Sequence, residues 1–228
     1  MTTVIEGTFP ELMAQAKNGS LIELGAHKSD DWNVGSKGLY LQRADSFFLV
    51  TYDSQERFLG RHQCNNWMGS QGGLHIERDS EIFIVNDDGE EVTLGEHDFD
   101  MWGACEEGLY LQRNDEFFFV DSGRREHSLG THECDEWFAD ERGLYLQKND
   151  EFFLVDDVGK ETHLGTHEYH MWQPSSAGLI LWHDEKFILI RDLGNEEVLG
   201  EIECDNWDMG PLGLYFQQDD EFFLLVVK

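Results

Sequence analysis

The apolar positions of this chain fall into short segments that recur every 35 residues. In the copy at residues 108–142, an alternating segment at 108–112 and a continuous apolar segment at 116–120 predict two strands. The turn between them contains Asn114 and Asp115, residue types that tolerate the positive φ of a tight hairpin. A third strand is expected at 126–132 with a bulge at Gly130, and a short fourth segment at 133–137. Each copy therefore predicts a small antiparallel meander.

Glycine and tryptophan mark the same two positions in successive copies. The glycines are Gly38, Gly73, Gly108, Gly143, Gly178 and Gly213, and the tryptophans are Trp32, Trp67, Trp102, Trp137, Trp172 and Trp207. A fixed period of this length is typical of one supersecondary unit that is copied and stacked. Such a meander cannot bury two apolar faces alone, so the copies are expected to pack against one another.

The division of the first and last copies predicts how the array ends. Residues 38–212 hold five complete copies, residues 20–37 match the last two segments of a copy, and residues 213–228 match the first two. We predict an all-β protein that closes into a six-bladed β-propeller, with N- and C-terminal strands completing one blade, because closure leaves no exposed sheet edge. An open β-solenoid with capped ends is the alternative.

The whole chain, residues 1–228, is expected to form a single repeat domain, and residues 1–19 are expected to cap it. Within this cap, Thr8 and Glu11 form a capping-box pattern, and Asn18-Gly19 is a helix-stop signal. The segment between them therefore predicts one short helix.

The net charge narrows the classes of partner. The 228 residues carry a formal charge of −31 at pH 7, which disfavours direct binding to nucleic acid or to an anionic membrane surface. A basic protein partner fits this sign. The sequence shows no signal peptide and no membrane-length apolar segment, and it has four cysteines at spacings that do not favour pairing. These features predict a cytoplasmic protein, and a monomer is favoured.

Acidic residues also recur once per copy, at a hairpin turn and after the third strand. We predict that they form bands of negative potential that contact the partner; the candidate residues are Asp115, Glu116, Asp150, Glu151, Asp220, Glu221, Glu133, Asp135, Glu168 and Glu203. The net charge far exceeds the magnitude of about 2–8 that solubility asks of a small domain. The function predicted first is therefore a non-enzymatic inhibitor, immunity-type or decoy protein that masks a basic protein surface.

A carbohydrate-binding propeller with several shallow sites is the alternative function. Tryptophan beside aspartate and histidine can form one sugar-stacking pocket per blade, and the candidate residues are Trp102, Trp137, Trp172, Asp100, Asp135 and His132. The same tryptophans have a second interpretation as wedges that pack between blades, because Trp buries a large area.

The histidines and the motif search predict no chemistry. Five histidines share one position, His27, His62, His97, His132 and His167, and Ile202 takes the sixth place. We expect these rings to hydrogen-bond inside each blade rather than to bind metal. The sequence contains no catalytic or phosphate-binding motif. No enzyme activity, metal site or cofactor is therefore predicted.

The segment at residues 151–160 places an aromatic strand before an Asp-x-x-Gly-Lys turn. This order resembles the bacterial WG-repeat modules, although Phe152-Phe153 stands where that family has its Trp-Gly pair. The resemblance extends over the copies from Gly38 onward. It implies a β-rich interaction module and no reaction.

Overall fold

The computed structural model of the chain describes residues 21–70, 72–175, 177–191, 196–210 and 212–226. The helix predicted within residues 1–19 lies outside these described residues. The described chain forms twenty-four strands, which are arranged as six four-stranded antiparallel sheets, or blades.

The strands are numbered in chain order and the blades in order around the ring. Blade 1 contains β2 (Asp31–Gly35), β3 (Gly38–Arg43), β4 (Ser46–Val50) and β5 (Glu56–Arg61). Blade 2 contains β6 (Asn66–Ser70), β7 (Gly73–Arg78), β8 (Glu81–Val85) and β9 (Glu91–Glu96). Blade 3 contains β10 (Met101–Ala104), β11 (Gly108–Arg113), β12 (Glu116–Asp121) and β13 (Glu126–Thr131). Blade 4 contains β14 (Glu136–Asp140), β15 (Gly143–Lys148), β16 (Glu151–Val155) and β17 (Glu161–Thr166). Blade 5 contains β18 (Met171–Ser175), β19 (Gly178–His183), β20 (Lys186–Ile190) and β21 (Glu196–Glu201). Blade 6 contains β22 (Asn206–Gly210), β23 (Gly213–Gln218), β24 (Glu221–Val226) and β1 (Leu21–Ala26).

The six blades close into a ring, which confirms the propeller and excludes the open solenoid. The first strand of each blade contacts the first strands of both neighbouring blades, and β22 of the last blade contacts β2 of the first. The seal is β1, which pairs antiparallel with β24 from Leu21 opposite Leu225 to Ala26 opposite Glu221. The outer edge of β24 is therefore covered by a strand from the other end of the chain.

The structure corrects the position and role of the predicted fourth segment. The segment at 133–137 was expected to end a copy, but the strand there is β14, Glu136–Asp140, and it is the innermost strand of the next blade. The residues at 132–135 form a connection from the outer strand of blade 3 to the axis of blade 4. Blade 6 consequently takes three strands from the C-terminus and only one from the N-terminus.

The hydrophobic core lies between neighbouring blades. One cluster joins Phe117 and Leu129 of blade 3 to Trp137, Leu144 and Leu146 of blade 4. The side chain of Phe117 is 0% exposed, and a buried side chain of this size stabilises the fold by about 1.5–3 kcal/mol. Each blade therefore completes the core of the next one, as the stacking of identical units requires.

The bulge predicted at Gly130 is present and directs Leu129 into this core. Gly130 pairs with Phe117 while Ser128 pairs with Phe118, so Leu129 is one residue extra in the ladder. The φ of Gly130 is 103°, a conformation that residues with a Cβ rarely adopt.

Candidate functional site

The antiparallel topology separates the connections into two end faces of the ring. In each blade the turn between the second and third strands lies at one end, because antiparallel neighbours reverse direction at each turn. The outer strand finishes at this same end; Thr131, the last residue of β13, pairs with Glu116, the first residue of β12. The connections from blade to blade therefore join these hairpin turns on one face, which we name the acidic face.

The connections of the acidic face are rich in aspartate and glutamate. Every acidic residue in these connections is exposed, and they are Asp30, Asp45, Asp79, Asp98, Asp100, Asp115, Glu133, Asp135, Asp150, Glu168, Asp184, Glu185, Glu203, Asp205, Asp219 and Asp220. The same connections, all of which the structure describes, contain Lys28 as their sole lysine or arginine. The connections of the opposite face contain both acidic and basic residues; the basic ones include Lys37, Arg124, Arg125, Arg142 and Lys160. The negative charge is therefore concentrated at one end of the ring.

The structure brings the ten predicted partner-binding acids together on this face. All are exposed, and they are Asp115, Glu116, Asp150, Glu151, Asp220, Glu221, Glu133, Asp135, Glu168 and Glu203. The hairpin turns explain part of the pattern. Asn149 and Asp150 adopt φ values of 50° and 67°, and Asn and Asp are the residues that tolerate this region most readily after glycine.

Two aspartates of the acidic face, one of them among these ten, also have a clear structural role. Oδ2 of Asp135 accepts a hydrogen bond of 2.9 Å from the backbone N–H of Asn149, and Oδ2 of Asp100 accepts one of 2.6 Å from Asn114 N–H. Each aspartate thus ties a blade-to-blade connection to the hairpin turn of its own blade. Glu133 is also engaged, since Nζ of Lys148 lies 2.5 Å from its Oε2.

The tryptophans of the alternative carbohydrate site lie inside the protein. Trp102, Trp137 and Trp172 are 8%, 5% and 2% exposed, and the ring of Trp137 packs edge-on against Phe117 with centroids 5.5 Å apart. A sugar can reach these rings only if the blades separate. The structure therefore places them as wedges between blades, and Asp100 and Asp135 as turn-capping residues rather than pocket walls.

Each repeated histidine bonds within its own blade and also contacts the next blade. Nε2 of His132 lies 2.9 Å from the carbonyl oxygen of Leu129 in its own blade. Its Nδ1 lies 2.5 Å from Oε1 of Glu161, in the outer strand of the next blade. The other four histidines of the column make the same two contacts. The contact within the blade agrees with the prediction, whereas the contact with a glutamate of the next blade was not predicted; both nitrogens of these rings already have partners.

The four cysteines are free thiols in an unreactive setting. Burial, followed by neighbouring carboxylates, raises the pKa of Cys134 to about 11. Burial likewise raises the pKa of Cys204 to about 11 and is the main cause of the raised pKa of Cys64 and Cys105. A high pKa keeps the thiol protonated, so these residues act as small apolar side chains.

A cavity of about 140 Å³ lies on the ring axis between the inner strands. Its wall includes two carboxyl groups, Asp140 and Asp208, whose pKa values burial raises to about 7. Oδ2 of Asp208 accepts a hydrogen bond of 2.7 Å from the backbone N–H of Val34, in the neighbouring blade. Asp208 is therefore a staple between inner strands, whereas Oδ2 of Asp140 has no hydrogen-bond partner within the described part of the chain.

Sequence reasoning missed one further cluster on the acidic face. Ligand atoms of His170, His183 and Asp184 lie within 4.8 Å of one another. The signal in the sequence was a break in the repeat, because the other copies have no histidine at either of the two histidine positions.

Comparison with solved structures supports the fold. The chain is similar to a TolB-like protein of Agrobacterium tumefaciens, with 15% identity, a TM-score of 0.56 and 90% of each chain covered. It is also similar to Prp20p of Saccharomyces cerevisiae, with 7% identity, a TM-score of 0.54, and 83% of this chain and 69% of that chain covered. A luciferin-regenerating enzyme matches at 10% identity with a TM-score of 0.52, over 92% of this chain and 96% of that chain. At these identities the likeness is one of fold, and one fold carries many functions.

No protein-family model matches the chain, and no curated protein sequence is similar to it at a significant level. Among the described residues there is no helix with the length and apolar character needed to cross a bilayer. The class of the protein is therefore that of a six-bladed β-propeller built from 35-residue copies.

Proposed function

We propose that this propeller is a non-enzymatic binding protein whose acidic face docks on a basic surface of another protein. In this role it acts as an inhibitor, an immunity-type protein or a decoy. The observation that carries the proposal is the one-sided distribution of charge. The connections of one face hold sixteen acidic residues and Lys28 as their sole lysine or arginine, whereas the connections of the other face mix acidic and basic residues. The sixteen acidic residues outnumber the six cations at the adjoining strand ends, which are Arg43, Arg61, Arg78, Arg113, Lys148 and Lys186.

Carboxylates on this face are available to a partner. The side chains of Asp115, Asp150 and Asp220 are exposed and make no hydrogen bond or ion pair within the described part of the chain. They stand at equivalent turns of blades 3, 4 and 6, so a partner meets a curved array of free acids rather than a single pair. Such an array suits lysine and arginine side chains, and charge complementarity of this kind accelerates association.

The shape of the connections supports binding rather than catalysis. Each hairpin turn of the acidic face has two residues, and each blade-to-blade connection has four. Catalytic residues are found preferentially on loops that are long enough to surround a substrate. We therefore propose no reaction and no cofactor for this protein. We also place it in the cytoplasm as a monomer, which suits its free thiols and its covered sheet edge.

A charge-neutralising variant tests the proposal. Asp115→Asn, Glu116→Gln, Asp150→Asn and Glu151→Gln together remove four charges from the acidic face. The matched control removes four charges from the opposite face, with Asp87→Asn, Asp88→Asn, Glu106→Gln and Asp157→Asn. The probes are purified core histones and polylysine, and the dissociation constant is measured by titration calorimetry at 50 mM and 300 mM salt. Histones are a suitable probe because Prp20p, a propeller of similar fold, is described as binding Gsp1p and histones.

The proposal predicts binding that weakens by at least about tenfold with the added salt, since solvent-exposed charges are screened within about 10 Å at 0.1 M salt. It predicts a loss of similar size in the acidic-face variant and little change in the control. Affinity that is independent of salt, or equal losses in both variants, contradicts it.

A further inference from the structure

Blade 5 departs from the repeat at two positions that are neighbours in space. The residue before the first strand is acidic or asparagine in the other blades, but it is His170 in blade 5. The last residue of the second strand is arginine, lysine or glutamine in the other blades, but it is His183 in blade 5. No other blade has histidine at either position.

The backbone holds these two histidines side by side. The N–H of His170 donates a hydrogen bond of 2.8 Å to the carbonyl oxygen of Trp182, the residue before His183. The two imidazole centroids are 4.8 Å apart. Nδ1 of His183 is buried, so its Nε2 is the nitrogen that faces the cluster.

A carboxylate completes the group. Nε2 of His170 lies 3.4 Å from Oδ1 of Asp184, and Nε2 of His183 lies 3.3 Å from Oδ2 of the same residue. Oε2 of Glu168 is 3.8 Å from Nε2 of His183. Two imidazoles therefore share one carboxylate, with a second carboxylate at the edge.

We propose that His170, His183 and Asp184 bind one divalent transition-metal ion of the zinc type, with Glu168 as a further oxygen ligand. Zinc bonds of about 2.1 Å in a tetrahedral site place neighbouring ligand atoms about 3.4 Å apart. Nε2 of His170 lies at about this spacing from Oδ1 of Asp184, and Nε2 of His183 lies at about this spacing from Oδ2, so each imidazole already has one carboxylate oxygen at ligand spacing. The remaining adjustment falls on His170, which is exposed and can rotate.

The other blades show what these positions do when no such cluster is present. In blade 3, the guanidinium of Arg113 lies over the ring of Phe118, 4.3 Å from its centroid, and pairs with Glu126. Blade 5 has Ile188 on its third strand in place of that phenylalanine and His183 on its second strand in place of the arginine, so it lacks both the ring and the cation that covers it. His183 therefore replaces the cation of a stabilising arrangement rather than supplements it.

The donor set also selects the class of metal. Imidazole nitrogen favours zinc, nickel and copper, whereas magnesium and calcium prefer sites made entirely of oxygen ligands. The carboxylates of Asp184 and Glu168 balance the two positive charges of the ion. The negative potential of the surrounding face raises the local concentration of any cation.

Metal titration of tag-free protein tests the site. Zn²⁺ is titrated by calorimetry, and Co²⁺ is titrated by absorption, because the intensity of its visible bands reports the number of ligands. We expect one saturable site per chain that excess Mg²⁺ or Ca²⁺ does not displace. Cu²⁺ is expected to quench the fluorescence of Trp182, whose ring centroid is 5.8 Å from that of His170.

The repeat supplies variants that the fold already accommodates. His170→Asp introduces the residue that blade 4 has at this position, Asp135. His183→Arg introduces the residue of blade 3, Arg113, and Asp184→Asn introduces that of blade 4, Asn149. Each is expected to weaken zinc binding at least about tenfold, or about 1.4 kcal/mol. His163→Ser is the matched control, because it removes an exposed histidine from blade 4 and introduces the residue of blade 3, Ser128.

The control is expected to bind zinc as the wild type does, and circular dichroism confirms that each variant is folded. Absence of a saturable site in the wild type overturns the proposal. So does undiminished binding in either histidine variant, or equal weakening in His163→Ser.

Discussion

Nδ1 of His97 lies 3.0 Å from Oε1 of Glu126, and this contact crosses from the connection that follows blade 2 to the outer strand of blade 3. The guanidinium of Arg113 holds the other oxygen of Glu126 at 2.6 Å. This bond to Arg113, with a smaller contribution from His97, keeps the pKa of Glu126 below its usual value. The three side chains form a clamp between neighbouring blades.

The seam between blades 5 and 6 replaces the whole clamp with uncharged residues. Ile202 takes the histidine position, Leu21 the glutamate position and Gln218 the arginine position. Ile202 and Leu21 belong to one apolar cluster. The contact between β1 and the connection that follows blade 5 is therefore apolar, whereas the equivalent contacts of the five histidines are polar.

This replacement predicts that the clamp is coupled. His97→Ile alone leaves Glu126 without one of its partners, and Glu126→Leu alone leaves His97 and Arg113 without an acceptor. Each single change is expected to lower the free energy of unfolding by about 1–2 kcal/mol. The double variant recreates the pair found at the seam, so it should be more stable than the sum of the singles by about 1 kcal/mol. Urea unfolding of the four proteins checks this, and strict additivity contradicts it.

The same clamp gives a pH dependence with a defined sign. The pKa of Glu126 is lower in the folded than in the unfolded chain, so its contribution to stability is present above the unfolded pKa. That contribution is lost as the pH falls through the folded value. The double variant lacks it, so its unfolding free energy should fall less than that of the wild type between pH 6 and pH 3. Parallel urea titrations across this range measure the difference.

The wedge role of tryptophan predicts a large cost at Trp137. Trp137→Ala empties the space beside Phe117 and is expected to lower the free energy of unfolding by about 3–5 kcal/mol. Trp137→Phe retains the apolar contact but loses the hydrogen bond from Nε1 to Oε1 of Gln112, which measures 2.6 Å, and it should cost less. Trp182→Gln is the control. Position 182 is equivalent to that of Gln112, so the new glutamine can accept a hydrogen bond from Nε1 of Trp207, which has no partner in the described part of the chain. This substitution should lower the free energy of unfolding by less than about 1 kcal/mol. A small cost for Trp137→Ala contradicts the wedge role.

Closure by β1 predicts the effect of a truncation. Removal of residues 1–26 takes away β1 and leaves β24 without its outer partner. An uncovered strand pairs readily with other chains. This variant should therefore self-associate in size-exclusion chromatography with light scattering, whereas removal of residues 1–19, which leaves β1 intact, serves as the control. A peptide with the sequence of residues 20–30 should reduce the self-association. A monomeric, fully stable protein without β1 contradicts the seal.

The axial carboxyl of Asp140 predicts a gain in stability on neutralisation. It is 8% exposed, and burial raises its pKa to about 7, above its unfolded value. Stability linked to this group is therefore complete at low pH and is lost as the pH rises through the folded pKa. Asp140→Asn should stabilise the protein by roughly 2 kcal/mol at pH 8 and by less at pH 5. Urea unfolding at the two pH values measures this, with the exposed Asp157→Asn as control. An equal effect at both pH values contradicts the assignment.

Much of the ring was predictable because the same local sequence signals recur in each copy. The positive φ of the Asn149-Asp150 turn and the bulge at Gly130 depend on neighbours close in the chain, so residue types indicate them. The division of residues 20–37 and 213–228 predicted closure. The offset between copy and blade was missed, because strand 136–140 has the composition of any short strand. Its place at the axis depends on contacts with other blades.

The sequence by itself determined the period, the strands, the turns and the sign of the charge, since each of these is written in local residue types and in their spacing. The tertiary structure alone decided which residues meet. It gathered the predicted acids on one face, buried Trp102, Trp137 and Trp172 between blades, and set His132 against Glu161. It also brought His170 beside His183. The physical reason is that such contacts join strands that are far apart in the chain. Their distances are fixed only when the last strand closes the ring.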